Sequence, residues 1–117
     1  KPNIITYNSI INGYIKSNQI NKAEEILETM KLSGIQPNIV TYSSIIDGYI
    51  KSNQINKAEE ILETMKLEGI KPNIVTYNSI INGYIKSNQI TKVKEILEEM
   101  KLEGIKPNIV TYNSIIN

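Results

Sequence analysis

The chain has 117 residues, a formal net charge of +1 and 40% hydrophobic residues, enough for one domain with a buried core. It contains neither cysteine nor histidine, which excludes disulfides, thiolate chemistry and imidazole acid–base or metal-ligand work. No apolar run approaches the roughly 20 residues that cross a bilayer as a helix.

Lys1-Pro2-Asn3 reads as the tail of a turn, and the same turn returns along the chain. Prolines stand at 2, 37, 72 and 107, and tyrosines at 7, 42, 77 and 112, always 35 residues apart. A fixed period of roughly 20–50 residues marks a stacked repeat array. The units are Ile4–Asn38, Ile39–Asn73 and Ile74–Asn108, with a partial unit from Ile109 to Asn117, and residues 1–117 form a single array. Units one and two differ only at Ile5/Val40, Asn8/Ser43, Asn12/Asp47, Ser33/Glu68 and Gln36/Lys71. Most of the period is therefore scaffold, and the few differences are candidates for specificity.

Each unit is predicted to be a helical hairpin. In the first helix Tyr7, Ile10, Ile11 and Tyr14 fall at i, i+3, i+4 and i+7, one apolar stripe. Gly13 interrupts this helix at a cost of about 1 kcal/mol relative to Ala. Its return as Gly48 and Gly83 predicts close approach of a neighbouring helix. Ser17-Asn18-Gln19 is the turn. In the second helix Ala23, Ile26, Leu27 and Met30 repeat the stripe. Asn21 is the predicted N-cap, with Glu24 three residues on as a capping-box variant. In the third copy Thr91 takes the cap position and Lys94 replaces the glutamate, which predicts a weaker start. Gly34 reads as the left-handed residue after the helix end, and Pro37 blocks continuation. Neither helix buries its stripe alone, so the units must stack. The fold class is all-α, a helical-hairpin repeat solenoid.

Charge is segregated between the two helices. Every carboxylate except Asp47 lies in a second helix or just after it, among them Glu24, Glu25, Glu28, Glu68 and Glu103. Each first helix carries one lysine at a constant place: Lys16, Lys51 and Lys86. A near-neutral chain can thus present one basic and one acidic surface. Asn8, Asn12 and Lys16 are spaced by four and share a helix face. The same line is Ser43, Asp47, Lys51 in unit two and Asn78, Asn82, Lys86 in unit three. Amides donate and accept at once, which suits base edges, and regularly spaced lysines suit a phosphate backbone. The bland alternative is an ordinary solvated face; the repetition and the Asn/Ser alternation favour recognition. The Glu24 and Glu28 pair, without histidine and beside lysines, reads as solvated surface and not as a catalytic pair. No cluster has metal-ligand spacing, and no glycine-rich phosphate loop is present. Tyr7 and Tyr14 read as packing residues between helices.

Three runs carry a family resemblance: Val40-Thr41-Tyr42-Ser43-Ser44-Ile45-Ile46-Asp47-Gly48-Tyr49, Ala58-Glu59-Glu60-Ile61-Leu62-Glu63-Thr64-Met65, and Gly69-Ile70-Lys71-Pro72-Asn73. They closely resemble the pentatricopeptide repeat, P type, over essentially the whole chain. The 35-residue period and the Gly-Ile-Lys-Pro-Asn ending separate it from the 34-residue tetratricopeptide repeat. The resemblance implies a right-handed superhelix whose first helices line a concave face that binds single-stranded RNA, one base per repeat. It implies base readers at Asn8, Ser43, Asn78 and Asn113, second readers at Asn38, Asn73 and Asn108, and aliphatic wedges at Ile5, Val40, Val75 and Val110. Lys16, Lys51 and Lys86 match phosphate-contacting positions. The family's code implies 5′-(C/U)-A-(C/U)-3′, cytosine preferred at the outer two positions, with the RNA running 5′ to 3′ from N- to C-terminus.

The expectation is a non-catalytic array that binds single-stranded RNA and needs no cofactor or metal; the alternative is a protein-binding or purely structural helical-repeat scaffold. Its uniformity hints at a designed, consensus or excerpted array. Nothing in the residues addresses a compartment, although the family's habit implies mitochondria or chloroplasts. Ile115 and Ile116 have no following helix to cover them, so end-to-end association through uncapped repeats is expected.

Overall fold

The computed structural model describes residues 3–108 and 111. Six helices follow one another: α1 Ile4–Lys16, α2 Ile20–Leu32, α3 Ile39–Lys51, α4 Ile55–Leu67, α5 Ile74–Lys86 and α6 Ile90–Leu102. Val110, Asn113, Ile115 and Ile116 lie outside the described residues, so the reader, wedge and end-association expectations that fall on them do too.

The helix ends follow local chemistry. Asn3, Asn38 and Asn73 hold extended backbone before α1, α3 and α5, and each side-chain oxygen accepts from the N–H three residues on. At α3 and α5 the threonine at that place returns the bond to the cap N–H, a reciprocal box of the form Asn-x-x-Thr. Two chain reversals of one geometry close the helices. Asn18, Asn53 and Asn88 take φ of 60–62° after the first helices, and Gly34, Gly69 and Gly104 take 75–82° after the second. In each, the next N–H reaches back to the helix: Gln19 N–H to the Tyr14 carbonyl at 2.7 Å and Ile35 N–H to that of Met30 at 2.9 Å.

The hairpins α1–α2, α3–α4 and α5–α6 each pack internally, and α2 and α4 also pack on the following first helix. The first helices touch in a row, α1 on α3 and α3 on α5. Among the described residues the backbones of α2, α4 and α6 do not approach one another. The row of first helices is therefore the short, inner edge of the array. The core runs along it as a ribbon: Tyr42, Ile45, Ile46 and Tyr49 from α3, and Tyr77, Ile80, Ile81 and Tyr84 from α5, are all buried. Each such side chain contributes about 2 kcal/mol by leaving water. Alanine and methionine from the second helices complete it, with Ala23, Met30, Ala58, Met65 and Met100 at 0% exposure.

The interior glycines behave as expected in two cases and not in the third. A Cβ on Gly48 would stand 2.9 Å from Ile20 Cδ1 and 3.1 Å from Ile15 Cγ1 and Cγ2; on Gly83 it would stand 2.7 Å from Ile55 Cδ1. Gly13 has nothing within 4 Å, because no described hairpin packs in front of α1. Ile10 is exposed for the same reason.

The cap assignment for the second helices is corrected. They start at Ile20, Ile55 and Ile90, one residue before Asn21 and Thr91, and Gln19, Gln54 and Gln89 stand at the cap with no side-chain bond. Asn21 and Lys22 are exposed in the first turn of α2, where water can meet the free N–H groups that a side-chain cap would otherwise satisfy. Glu24 does not fold back on its own helix: it accepts the hydroxyl of Tyr49 in the next hairpin, as Glu59 accepts that of Tyr84. Lys94 occupies the corresponding place in α6.

Candidate nucleic-acid interface

The inner row presents the sequence-predicted residues in a repeating order. Ile5, Val40 and Val75 lie in the first turn of their helices with 71%, 53% and 60% of their surface exposed. Exposure of a β-branched residue at the same place three times offers an apolar contact that the core does not use. Asn8, Ser43 and Asn78 come one turn later and are half-buried, against a bond network that spans two hairpins.

That network joins residues far apart in sequence. Asn8 Nδ2 donates to Asn38 Oδ1 at 3.4 Å, and Asn78 Nδ2 to Asn108 Oδ1 at 3.2 Å. The two residues proposed as readers for one base thus stand side by side in the first and third hairpins. Ser43 is shorter; its hydroxyl meets Thr76 Oγ1 at 2.8 Å, and no bond to Asn73 forms. The amides of Asn38 and Asn73 have one fixed orientation. Their Oδ1 must face the helix to accept from Thr41 N–H and Thr76 N–H, both at 3.1 Å, so Nδ2 faces away. An N-cap asparagine therefore presents donors on the inner row.

At the other end of the first helices lie the lysines. Lys16, Lys51 and Lys86 are exposed, in the last turn, where a cation also meets the negative end of the helix dipole. Lys16 and Lys51 line one groove of about 560 Å³ with Asn18, Ser52 and Gln54. Lys86 lines the next, of about 360 Å³, with Asn53 and Ser87. Lys51 is paired with Asp47 at 3.1 Å; among the described residues Lys16 and Lys86 form no ion pair.

Several carboxylates in or just after the second helices are engaged by lysines and tyrosines. Glu68 holds Lys31 at 2.9 Å and accepts from Tyr42, while Glu99 accepts from Tyr77 at 2.8 Å and pairs with Lys66. Glu59 pairs with Lys92 at 3.0 Å. Burial and the Glu68 bond push the Tyr42 phenol up to about 12, with Lys31 opposing. Burial and their glutamate partners raise Tyr77 and Tyr84 further. Burial works against the Glu68 carboxylate, but its bonds to Tyr42 and Lys31 prevail and hold it below the ordinary glutamate value. These side chains bridge hairpins where the second-helix backbones stand apart. Sequence reading missed them, since no local pattern pairs Glu24 with Tyr49. It also missed the cap role of Asn38, which the Asn-x-x-Thr spacing signals.

Among the described residues no cluster of carboxylates could hold a metal ion, and no helix is long and apolar enough to cross a membrane.

The profile described as the PPR repeat family matches residues 2–51, 37–81 and 72–117. A comparison with curated proteins found no match. Among solved structures the chain is similar to the pentatricopeptide repeat protein PPR10 from maize, at 32% identity and TM-score 0.89 over 99% of this chain. PPR10 in complex with an 18-nt psaJ RNA element superposes with TM-score 0.92. The chain spans 17% of that protein's length. The PPR domain of Arabidopsis thaliana protein-only RNase P 1, in complex with tRNA, shares the fold at 19% identity and TM-score 0.83, over 98% of this chain and 60% of that one. Three overlapping matches that run from residue 2 to the end, and a fold shared with a 32%-identical member, mean that the chain belongs to the pentatricopeptide repeat family.

Proposed function

We propose that the chain binds single-stranded RNA along its row of first helices, one base per repeat, without acting on it chemically. The observation that carries this is the repeated juxtaposition of Asn8 with Asn38 and of Asn78 with Asn108, with an exposed aliphatic residue before it and a lysine after it on the same helix. The psaJ RNA complex of maize PPR10, which has this fold, supports the reading.

The orientation of the cap amides supports a base preference. Nδ2 of Asn38 and Asn73 offers hydrogens, so it favours a ring nitrogen with a lone pair, as in cytosine N3 and adenine N1. It opposes the N–H of uracil N3 and guanine N1. Asn8 and Asn78 reach further than Ser43 and leave room for the smaller ring. The reading is 5′-(C/U)-A-(C/U)-3′, cytosine preferred outside, with Asn8, Ser43 and Asn78 as first readers and Asn38, Asn73 and Asn108 as second. Ile5, Val40 and Val75 pack against the bases; Lys16, Lys51 and Lys86 meet the phosphates.

Fluorescence anisotropy with short labelled RNAs tests this. An oligonucleotide with a CAC core should bind more tightly than one with UGU. Three lysine contacts to a single strand should give a slope of log affinity on log salt of about −2. Equal binding of both RNAs with no salt dependence would refute it. A second reading, a protein-binding scaffold, has one observation in its favour: Leu32, Leu67 and Leu102 end the second helices with 85–89% exposure. Unchanged RNA binding when all three become serine would assign RNA recognition to the inner row alone.

A further inference from the structure

Three polar side chains are completely buried among the described residues, and all are the same residue at the same register: Thr41, Thr76 and Thr111, each at 0% exposure. Valine has the same shape and would fill the space without burying a hydroxyl. Part of the hydroxyl's role is local. Thr41 Oγ1 accepts from Asn38 N–H at 3.2 Å and so closes the cap of α3. The hydroxyl has one hydrogen to give. Asn38 Oδ1 lies 3.1 Å away, but Asn8 Oδ1, in the preceding hairpin, lies at 2.6 Å. The same bond recurs from Thr111 to Asn78 Oδ1, and Thr76 meets Ser43 at 2.8 Å.

Asn8 is thus held between two unlike neighbours. Thr41 offers a hydrogen to one end of its amide, and Asn38 Oδ1 accepts from the other at 3.4 Å. Turning the amide over would set oxygen against oxygen at Asn38 and forfeit the 2.6 Å bond that Thr41 donates, leaving the hydroxyl only the longer bond to Asn38 Oδ1 at 3.1 Å. Only one orientation satisfies both. We propose that Thr41, Thr76 and Thr111 are positioning residues, each of which sets the hydrogen-bonding orientation of the first reader in the preceding hairpin. This rests on the reading of function above. Its consequence is that the specificity of one repeat is set partly from the next: Thr41 governs the base read at Asn8, not the base read in its own helix at Ser43.

The test uses the full chain with Thr41→Val, Thr41→Ser and Thr6→Val. Thr6 makes the cap bonds with Asn3 but has no described reader in front of it, so it reports the cap alone. By NMR of the free protein, Thr41→Val should shift the Asn8 side-chain amide resonances and Thr41→Ser should restore them. In competition binding, Thr41→Val should cut the cytosine-over-uracil preference at the first position by about fivefold, the loss of one hydrogen bond. Preference at the second position should stay within about twofold, and Thr6→Val should leave both unchanged. A loss at the second position instead of the first, or none at either while RNA still binds, overturns the inference. Binding of no RNA by any of these proteins refutes the functional reading instead. The positioning is then decided by the Asn8 resonances, and their indifference to Thr41→Val overturns it. Thr76→Val, read at Ser43 and the second position, decides the question in the same way if Thr41→Val does not fold.

Discussion

Gly13 and Gly48 stand at the same register of near-identical units, yet alanine should stabilise the chain at the first and not at the second. In a helix interior, alanine is favoured over glycine by about 1 kcal/mol. At Gly13 the new methyl meets nothing within 4 Å, so that gain should be realised in full. At Gly48 it meets Ile20 Cδ1 at 2.9 Å and the Cγ1 and Cγ2 atoms of Ile15 at 3.1 Å. The Ile20 methyl ends a flexible side chain and can turn aside. The Ile15 atoms branch from its Cβ on α1, where χ1 is nearly fixed, so the helices must separate slightly. Overpacking of this kind costs about 1–3 kcal/mol, which cancels or exceeds the propensity gain. The two variants should therefore differ by about 1–3 kcal/mol, and at about 4 °C per kcal/mol for a chain of this size the gap in Tm is about 4–12 °C. Thermal melts followed by circular dichroism measure it. If Gly48→Ala raises Tm as much as Gly13→Ala, the glycine is tolerated and not required, and the close approach of neighbouring hairpins does not depend on it.

Ser43→Asn, in an array lengthened by copies of these units, should move the middle preference from adenine to cytosine and leave the outer two in place; surviving adenine preference in competition binding would mean the reader is misassigned. Asp47→Asn frees Lys51 from its 3.1 Å partner, so RNA affinity should rise about two- to fivefold, read by anisotropy. Alkali should destabilise the chain in a defined window. Tyr42 keeps its proton in the fold up to about 12, against 10.0 in the unfolded chain, because burial and the Glu68 bond disfavour the phenolate. The unfolded state then releases protons first, so stability is complete below pH 10 and falls as pH rises to 12. Denaturant melts across that range measure the loss, and Tyr42→Phe should reduce it.

Much of the molecule is legible in one dimension because its determinants are local or periodic. The apolar stripe of Tyr7, Ile10, Ile11 and Tyr14 dictates a helix with one buried face, and Gly34 with Pro37 dictates its end, through rules that involve residues a few positions apart. The line of Asn8, Asn12 and Lys16 follows from the same helical spacing. What depends on a neighbour is not legible in this way. Asn21 resembles a cap, yet its helix begins one residue before it, directly after the backbone reversal at Asn18. Glu24 resembles a capping glutamate and takes the hydroxyl of Tyr49 in the next hairpin.

The 35-residue period, the hairpin in each unit, the segregation of lysines from carboxylates and the row of polar residues on the first helices all follow from the order of the residues. The packing of the hairpins is needed to see that Thr41 bonds Asn8, that Ser43 meets Thr76, and that Gly48 is crowded where Gly13 is open. Near-identical units have near-identical local energetics. Their differences arise from which surface the preceding hairpin brings within hydrogen-bond or van der Waals range, and that surface comes from residues a full repeat away.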